Sequence, residues 1–198
     1  MLTEIRFAGF GGQGILLAAN IVGKAAAIFH GGHATLTQNY GPEARGGASS
    51  AQLVISEEPI LYPYTTHEDI LVALSQEAFA KFHSGIKPNG LLIVEEELVR
   101  VEGLAPAVRV FGIPATRVAE ELGKKVVLNV VIVGFLAALG NFLPKQAFVD
   151  ALSASVPKNL LDLNLRAFDK GYEKGIEAAQ KAALEEETTV PEPAWSEP

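Results

Sequence analysis

The sequence predicts an α/β fold, a three-layer sandwich around a mostly parallel sheet. Three observations carry this. Short apolar segments alternate with helical ones along most of the chain. The first of them, Ile5–Ala8, runs straight into a glycine-rich turn and then a helical stretch. A later one, Asp69–Leu74, is apolar at every position after its first, as strands buried on both faces are.

The elements follow in order. The helix after Gly14 runs from Ile15 to about Phe29, rich in Ala, Leu and Ile, and Gly31-Gly32 marks its end. A second strand covers about Ala34–Gln38. A third, Ala48–Ile55, alternates, with Ala51, Leu53 and Ile55 on one face and Ser50, Gln52 and Val54 on the other. That alternation predicts one partly wet face, and this strand is the candidate for an antiparallel place. Ser75 is placed to cap a helix over Gln76–His83. Lys87-Pro88-Asn89-Gly90 reads as a turn into a strand at Leu91–Glu95, and Val108–Ile113 is another strand, closed by Pro114. Helices are expected at Thr116–Leu122, Val126–Gly140, Lys145–Ser155 and Asn159–Leu184. Leu161, Leu165, Phe168 and Tyr172 recur on one face of the last. No repeat or linker divides the chain, so residues 1–184 are expected to form a single domain. Residues 185–198, with three prolines and five acids, are expected to be a mobile tail.

Composition narrows the function. At 198 residues and 48% hydrophobic content the chain can bury a real core. It has no cysteine, so it carries no disulfide, no thiolate nucleophile and no Cys-ligated cluster. The net charge of −7 is concentrated at the C-terminal end: residues 173–198 contain seven acids and two bases. A near-neutral body with an acidic end offers no basic footprint for nucleic acid. The apolar run Val126–Leu139 is interrupted by Asn129 and is shorter than the roughly 20 residues that span a bilayer. It reads as a buried helix in a protein expected to be cytoplasmic, with no signal peptide at its start.

Two loops concentrate the chemistry. Gly9-Phe10-Gly11-Gly12-Gln13-Gly14 has the spacing of a dinucleotide fingerprint in a Rossmann-like first β-α-β unit. Amides around Gly11, Gly12, Gln13 and Gly14 at a helix start can face an anion. The acid that would hold a ribose hydroxyl at the end of the second strand is missing; Thr37, Gln38 and Asn39 stand there. Three readings stay open: a plain tight turn, a hydride-transferring dinucleotide site, or an anion or partner site of another kind. The second loop, Tyr40-Gly41-Pro42-Glu43-Ala44-Arg45-Gly46-Gly47, sets one guanidinium among glycines. It suits a carboxylate or phosphate clamp, or else an internal pair between Arg45 and Glu43. In a β-α-β unit both loops lie at the carboxyl ends of their strands, the working edge of an open parallel sheet. His30, His33, His67 and His83 lack metal-ligand spacing. Glu95-Glu96-Glu97 reads as a solvated strand end, and Asn129 as a buried polar group with its hydrogen bonds satisfied.

Together these residues resemble a known family. Gly9–Ile15, Gln38–Gly47, the stretch Leu71–Ala78 and the segment Asn164–Tyr172 are similar to the gamma subunit of 2-oxoacid:ferredoxin oxidoreductases, over about residues 3–175. The Pro-Glu-Ala-Arg-Gly-Gly form of the second loop looks most like the 2-oxoglutarate subtype. The resemblance implies a fold like domain III of pyruvate-ferredoxin oxidoreductase. It also implies a multisubunit enzyme that turns a 2-oxoacid, coenzyme A and oxidised ferredoxin into acyl-CoA, carbon dioxide and reduced ferredoxin. By the same resemblance, alpha and beta subunits hold thiamine diphosphate and Mg. [4Fe-4S] clusters sit in beta or in a small ferredoxin-like delta subunit. This chain packs on alpha beside the coenzyme A path and binds no cofactor of its own. Arg45 with Gly46 and Gly47 is then the first candidate for an anionic group of coenzyme A or a partner carboxylate, and Gly11–Gly14 the second. Tyr40, Pro42 and Glu43 would shape the loop or its interface. No residue is assigned bond-making chemistry or a metal. The isolated chain is expected to be inactive and free to dimerise through its partner-facing surface.

Overall fold

The computed structural model describes residues 2–40, 48–65 and 67–188. Six strands form one sheet in the order β2-β3-β1-β4-β5-β6. They are β1 (Leu2–Phe10), β2 (His33–Tyr40), β3 (Ala48–Ser56), β4 (Glu68–Ala73), β5 (Ile86–Glu95) and β6 (Arg109–Ile113). β1, β4, β5 and β6 pair in parallel. β3 runs antiparallel to both its neighbours, so β2 points the same way as β1. The mostly parallel sheet and the antiparallel third strand are therefore as expected. The first unit keeps the succession of strand, glycine turn, helix and strand, but β3 is inserted between β1 and β2.

The helices are α1 (Ile15–Ala27), α2 (Gln76–Phe82), α3 (Ala115–Glu121), α4 (Leu128–Gly140), α5 (Lys145–Ser153) and α6 (Leu161–Thr188). Inward residues of the strands split between two cores. Ile5, Phe7, Leu53, Val72 and Ile93 face the larger one with α1, α3, α4, α5 and α6. Ala8, Leu71, Ala73, Leu92 and Val94 face a smaller one under α2 and the segment around Val99 and Leu104. The sandwich is thus three-layered with unequal outer layers.

Three local expectations are corrected. Ser50, Gln52 and Val54 do not face water; they are 5%, 7% and 2% exposed. Ser50 and Gln52 belong to a polar row on the thin side of the sheet, where Thr37 and Arg6 pair with Gln52 across the strands. Gln52 Nε2 donates to the Thr65 carbonyl. Arg6 Nε meets Glu68 Oε1 at 2.5 Å, and its guanidinium lies 4.4 Å from the centre of the Phe82 ring. Residues 87–90 are a bulge within β5 rather than a turn before it. The pairing of Glu68 with Ile86 jumps to Ile70 with Leu91, and Asn89 takes φ 62°. Finally, α6 continues to Thr188, past the expected tail boundary; residues 189–198 lie outside those described.

α4 is buried on every side, so its neighbours must come close. α6 meets it through glycines. A Cβ on Gly134 would collide with the Phe168 carbonyl, one on Gly171 with the Val131 carbonyl, and one on Gly175 would lie 2.6 Å from Ala138 Cβ. The most buried line of α6 runs through Asn164, Ala167, Phe168, Gly171 and Gly175, with Leu161, Leu165 and Tyr172 to its sides. Gly171→Ala and Gly134→Ala each gain helix propensity of about 1 kcal/mol. The obstructing atoms are backbone and cannot rotate away, so both variants are expected to lose about 1–3 kcal/mol net in urea unfolding. Unchanged stability would refute the close-contact account.

Candidate functional site

The carboxyl edge of the sheet gathers the ends of β1, β2, β4, β5 and β6. Phe10 at the end of β1 pairs with Ala48, and Tyr40 at the end of β2 pairs with Ser49. The glycine turn and the two ends of the second loop therefore share one edge, as the β-α-β reading expects. Pro42, Glu43, Arg45, Gly46 and Gly47 themselves lie outside the described residues.

Residues 11–14 make a tight turn. Gln13 N donates to the Phe10 carbonyl, and Gly12 and Gly14 take φ 96° and 73°, values closed to most side chains. Gly11 and Gly12 are exposed, while Gln13 is half-buried. The Gln13 side chain turns inward: its Oε1 accepts from Phe10 N at 2.6 Å and its Nε2 donates to the Leu74 carbonyl at 2.8 Å. β1 leads to α1 on one face of the sheet and β4 leads to α2 on the other, so the crevice between these two strand ends is the switch point where open α/β sheets take ligands. Gln13 bridges that crevice with its own carboxamide, and a Cβ at Gly9 would strike the same oxygen. Gln13 is thus a bracket of the turn. The ribose position of a dinucleotide fold is also displaced: β2 is two strands from β1, about 10 Å, because β3 intervenes.

Two residues read as unremarkable in the sequence belong to this edge. Glu95 was expected to be solvated and is fully buried. Its Oε2 accepts from Thr116 N at 2.8 Å and Thr116 Oγ1 at 3.0 Å, which caps the start of α3 from the end of β5. Burial pushes its carboxyl above the ordinary value of 4.5, against the lowering effect of the Thr116 bonds. Asn129, the second residue of α4, was expected to have its hydrogen bonds satisfied. It is 2% exposed, and its Oδ1 has no partner among the described residues. It presses against the turn, where a Cβ on Gly14 would lie 2.7 Å from its Cγ. The signal in the sequence was a lone amide in an apolar helix; its proximity to Gly14 depends on the tertiary packing of α4. Among the described residues no three His, Asp or Glu are grouped to hold a metal, and no helix is long and apolar enough to cross a membrane.

Comparison with known proteins places this architecture. Residues 4–174 match the family model described as pyruvate ferredoxin/flavodoxin oxidoreductase. The chain belongs to that family. It is similar to the 2-oxoglutarate synthase subunit KorC of Methanocaldococcus jannaschii, 47% identical over 87% of this chain and 94% of the relative. Among solved structures it is similar to the keto/oxoacid ferredoxin oxidoreductase gamma subunit of Geobacter sulfurreducens. There the TM-score is 0.80 at 37% identity, over 90% of this chain and 98% of that one. It is also similar to the 2-oxoglutarate:ferredoxin oxidoreductase of Magnetococcus marinus, whose structure has 2-oxoglutarate, coenzyme A and succinyl-CoA bound. The TM-score is 0.79 at 26% identity, over 88% of this chain and 31% of that one. The gamma-subunit resemblance seen in the sequence is borne out, and the chain is a subunit of an oxidoreductase.

Two variants test this edge. Gln13→Leu strips Phe10 N and the buried Leu74 carbonyl of their partner and is expected to cost on the order of 1–2 kcal/mol in urea unfolding. A neutral result would mean that the bracket contributes nothing. For Glu95 the folded carboxyl holds its proton more tightly than the unfolded one. Its contribution is therefore full below pH 4.5 and is lost as pH rises toward the raised folded value. Glu95→Gln keeps the acceptor for Thr116 and is expected to gain stability relative to the parent from pH 4.5 upward. Parallel pH profiles of the two proteins would contradict this.

Proposed function

We propose that the chain is the gamma subunit of a multisubunit, thiamine diphosphate-dependent 2-oxoglutarate:ferredoxin oxidoreductase. The enzyme converts 2-oxoglutarate, or a related 2-oxoacid, with coenzyme A and oxidised ferredoxin into succinyl-CoA, carbon dioxide and reduced ferredoxin. The observation that carries this reading is the 47% identity to KorC across nearly its whole length. The chain's part is to pack on the alpha subunit and form the coenzyme A side of the site. Thiamine diphosphate with Mg and the iron–sulfur clusters belong to partner subunits, and the lack of any cysteine suits that division.

Two features support a partner-facing carboxyl edge. Phe10, Leu17, Leu98 and Val126 stand exposed there, at 40%, 38%, 48% and 70%. In the Magnetococcus relative this module makes up under a third of one longer polypeptide, so it lies there beside further segments. The crevice closed by Gln13 and the inserted β3 argue against a self-sufficient NAD-linked dehydrogenase. A pure scaffold remains the second reading, favoured by the same exposed apolar residues. In this proposal Arg45, with Gly46 and Gly47, contacts an anionic group of coenzyme A.

The purified chain is expected to give no 2-oxoacid-dependent dye reduction, and co-purified alpha and beta subunits are expected to restore it. In the assembled enzyme Arg45→Ala should raise KM for coenzyme A about tenfold, the loss of one charge-assisted contact, with assembly intact. Failed assembly on size-exclusion chromatography would favour the scaffold.

A further inference from the structure

We propose that β2 is a strand-addition seam, pairing antiparallel with β2 of a second copy of this chain about a two-fold axis at Leu36. The two ends of the sheet are built differently. β6 closes one end and carries the devices that keep an edge from pairing: it has five residues, opens on Arg109 and is stopped by Pro114. β2 closes the other end and carries none of them. It has eight residues, His33–Tyr40, with no Lys, Arg, Asp, Glu, Pro or Gly among them. It follows β3 without a register shift, and among the described residues no strand lies on its outer side. About half of its backbone N–H and C=O groups therefore point outward along an unbroken, uncharged edge.

An apolar groove runs beside that edge. It has a volume of about 180 Å³ and lies between α1 and β2, walled by Ala19, Gly23, Ala27, Ala34 and Leu36. Ile28, also on its wall, is 64% exposed. The one charged residue that lines it, Lys24, donates to Ser155 Oγ. β2 itself fits this setting. Ala34 and Leu36 face the α1 side, while Thr37 faces the polar side and bonds Gln52. Residues opposed in an antiparallel pair share a face. A two-fold axis normal to the sheet at Leu36 therefore sets Leu36 against its own copy on the groove side, and Ala34 against Gln38. On the other side it sets Thr35 against Thr37 and His33 against Asn39, so no like charges meet. These pairs supply about six to eight main-chain hydrogen bonds. An eight-residue edge is about 27 Å long; with α1 above it, the seam covers on the order of 500 Å² per copy, about 1,000 Å² in all, where specific interfaces begin. The seam runs along the side of the sheet, so pairing leaves the carboxyl edge open to a partner subunit.

Because the chain has no cysteine, a single introduced thiol reports on the seam. The full-length Leu36→Cys variant is oxidised and run without reductant, beside Asn39→Cys and Val110→Cys. At the axis the opposed Cβ atoms lie about 4.5–5.5 Å apart, a distance that oxidation can close into a disulfide. Asn39 and its copy lie about 20 Å apart along the ladder, and Val110 is 43% exposed on β6. The expected result is a native mass of twice 21.0 kDa by light scattering and a linked dimer from Leu36→Cys alone. A monomer at micromolar concentration, or linking at Asn39 or Val110 in preference to Leu36, overturns the proposal. Leu36→Lys sets two ammonium groups against each other and should give a monomer that circular dichroism shows to be folded; mixing it with Leu36→Glu should restore the dimer. Folded variants that stay apart when mixed would overturn the axis. Two other occupants give different results. A monomer whose Leu36→Cys thiol is blocked from maleimide only in the assembled enzyme assigns the edge to a partner subunit's strand. One whose thiol is blocked in the free chain and released by truncation after Thr188 assigns it to the chain's own C-terminal segment. Either outcome overturns the second copy.

Discussion

The close contact of α4 and α6 is the constraint on which the rest depends. α4 lies inside the molecule, in contact with the sheet-facing core and with α1, α3, α5 and α6. Gly134, Gly171 and Gly175 let the two helix backbones approach at distances that any Cβ would forbid. That approach sets where α4 begins, and its beginning is what puts Asn129 against Gly14. A shift in that approach would move Asn129 relative to the glycine turn. Interiors this dense transmit such shifts rather than absorbing them.

The sheet gives the second constraint. Inserting β3 antiparallel between β1 and β2 keeps both loops on one edge but widens the distance between them. Gln13 then fills the crevice between the ends of β1 and β4. The glycine fingerprint is retained while the position that a dinucleotide would use is taken by protein. What stays open lies to the α4 side of the turn. The same letters thus serve a subunit of an oxidoreductase, in a family with one solved relative that has coenzyme A bound.

The thin side of the sheet is held differently. One short helix and an irregular segment cover it, and a polar row through Thr37, Gln52 and Arg6 runs beneath them. Arg6 and Glu68 are buried together with Thr65 and the face of Phe82, so neither charge is left unanswered. Such pairs add little net stability but are costly to break from one side. They also define the register of β1, β3 and β4 more sharply than apolar contacts alone would.

Much of this was legible in the chain itself. Apolar periodicity located all six strands and the helices to within a few residues, because backbone hydrogen bonding and side-chain burial repeat locally. Ser75 was identified as a cap and its Oγ accepts from Ala78 N. The glycine turn was found because its φ values demand glycine. Where the reading failed, the deciding partner was distant in sequence. Ser50 and Gln52 looked wet because nothing nearby announces Arg6 or Thr65. Glu95 looked solvated because its partner is Thr116. Nothing local marks Gly171 and Gly175 as contact points, since only α4 gives a missing side chain its purpose. The sequence by itself determined the element order, the family and the two loops, all of which depend on local spacing. Tertiary structure alone decided that Gln13 closes the switch-point crevice and that Asn129 keeps an unanswered oxygen beside Gly14. Hydrogen-bond satisfaction is a property of groups brought together in space, and no local pattern encodes it.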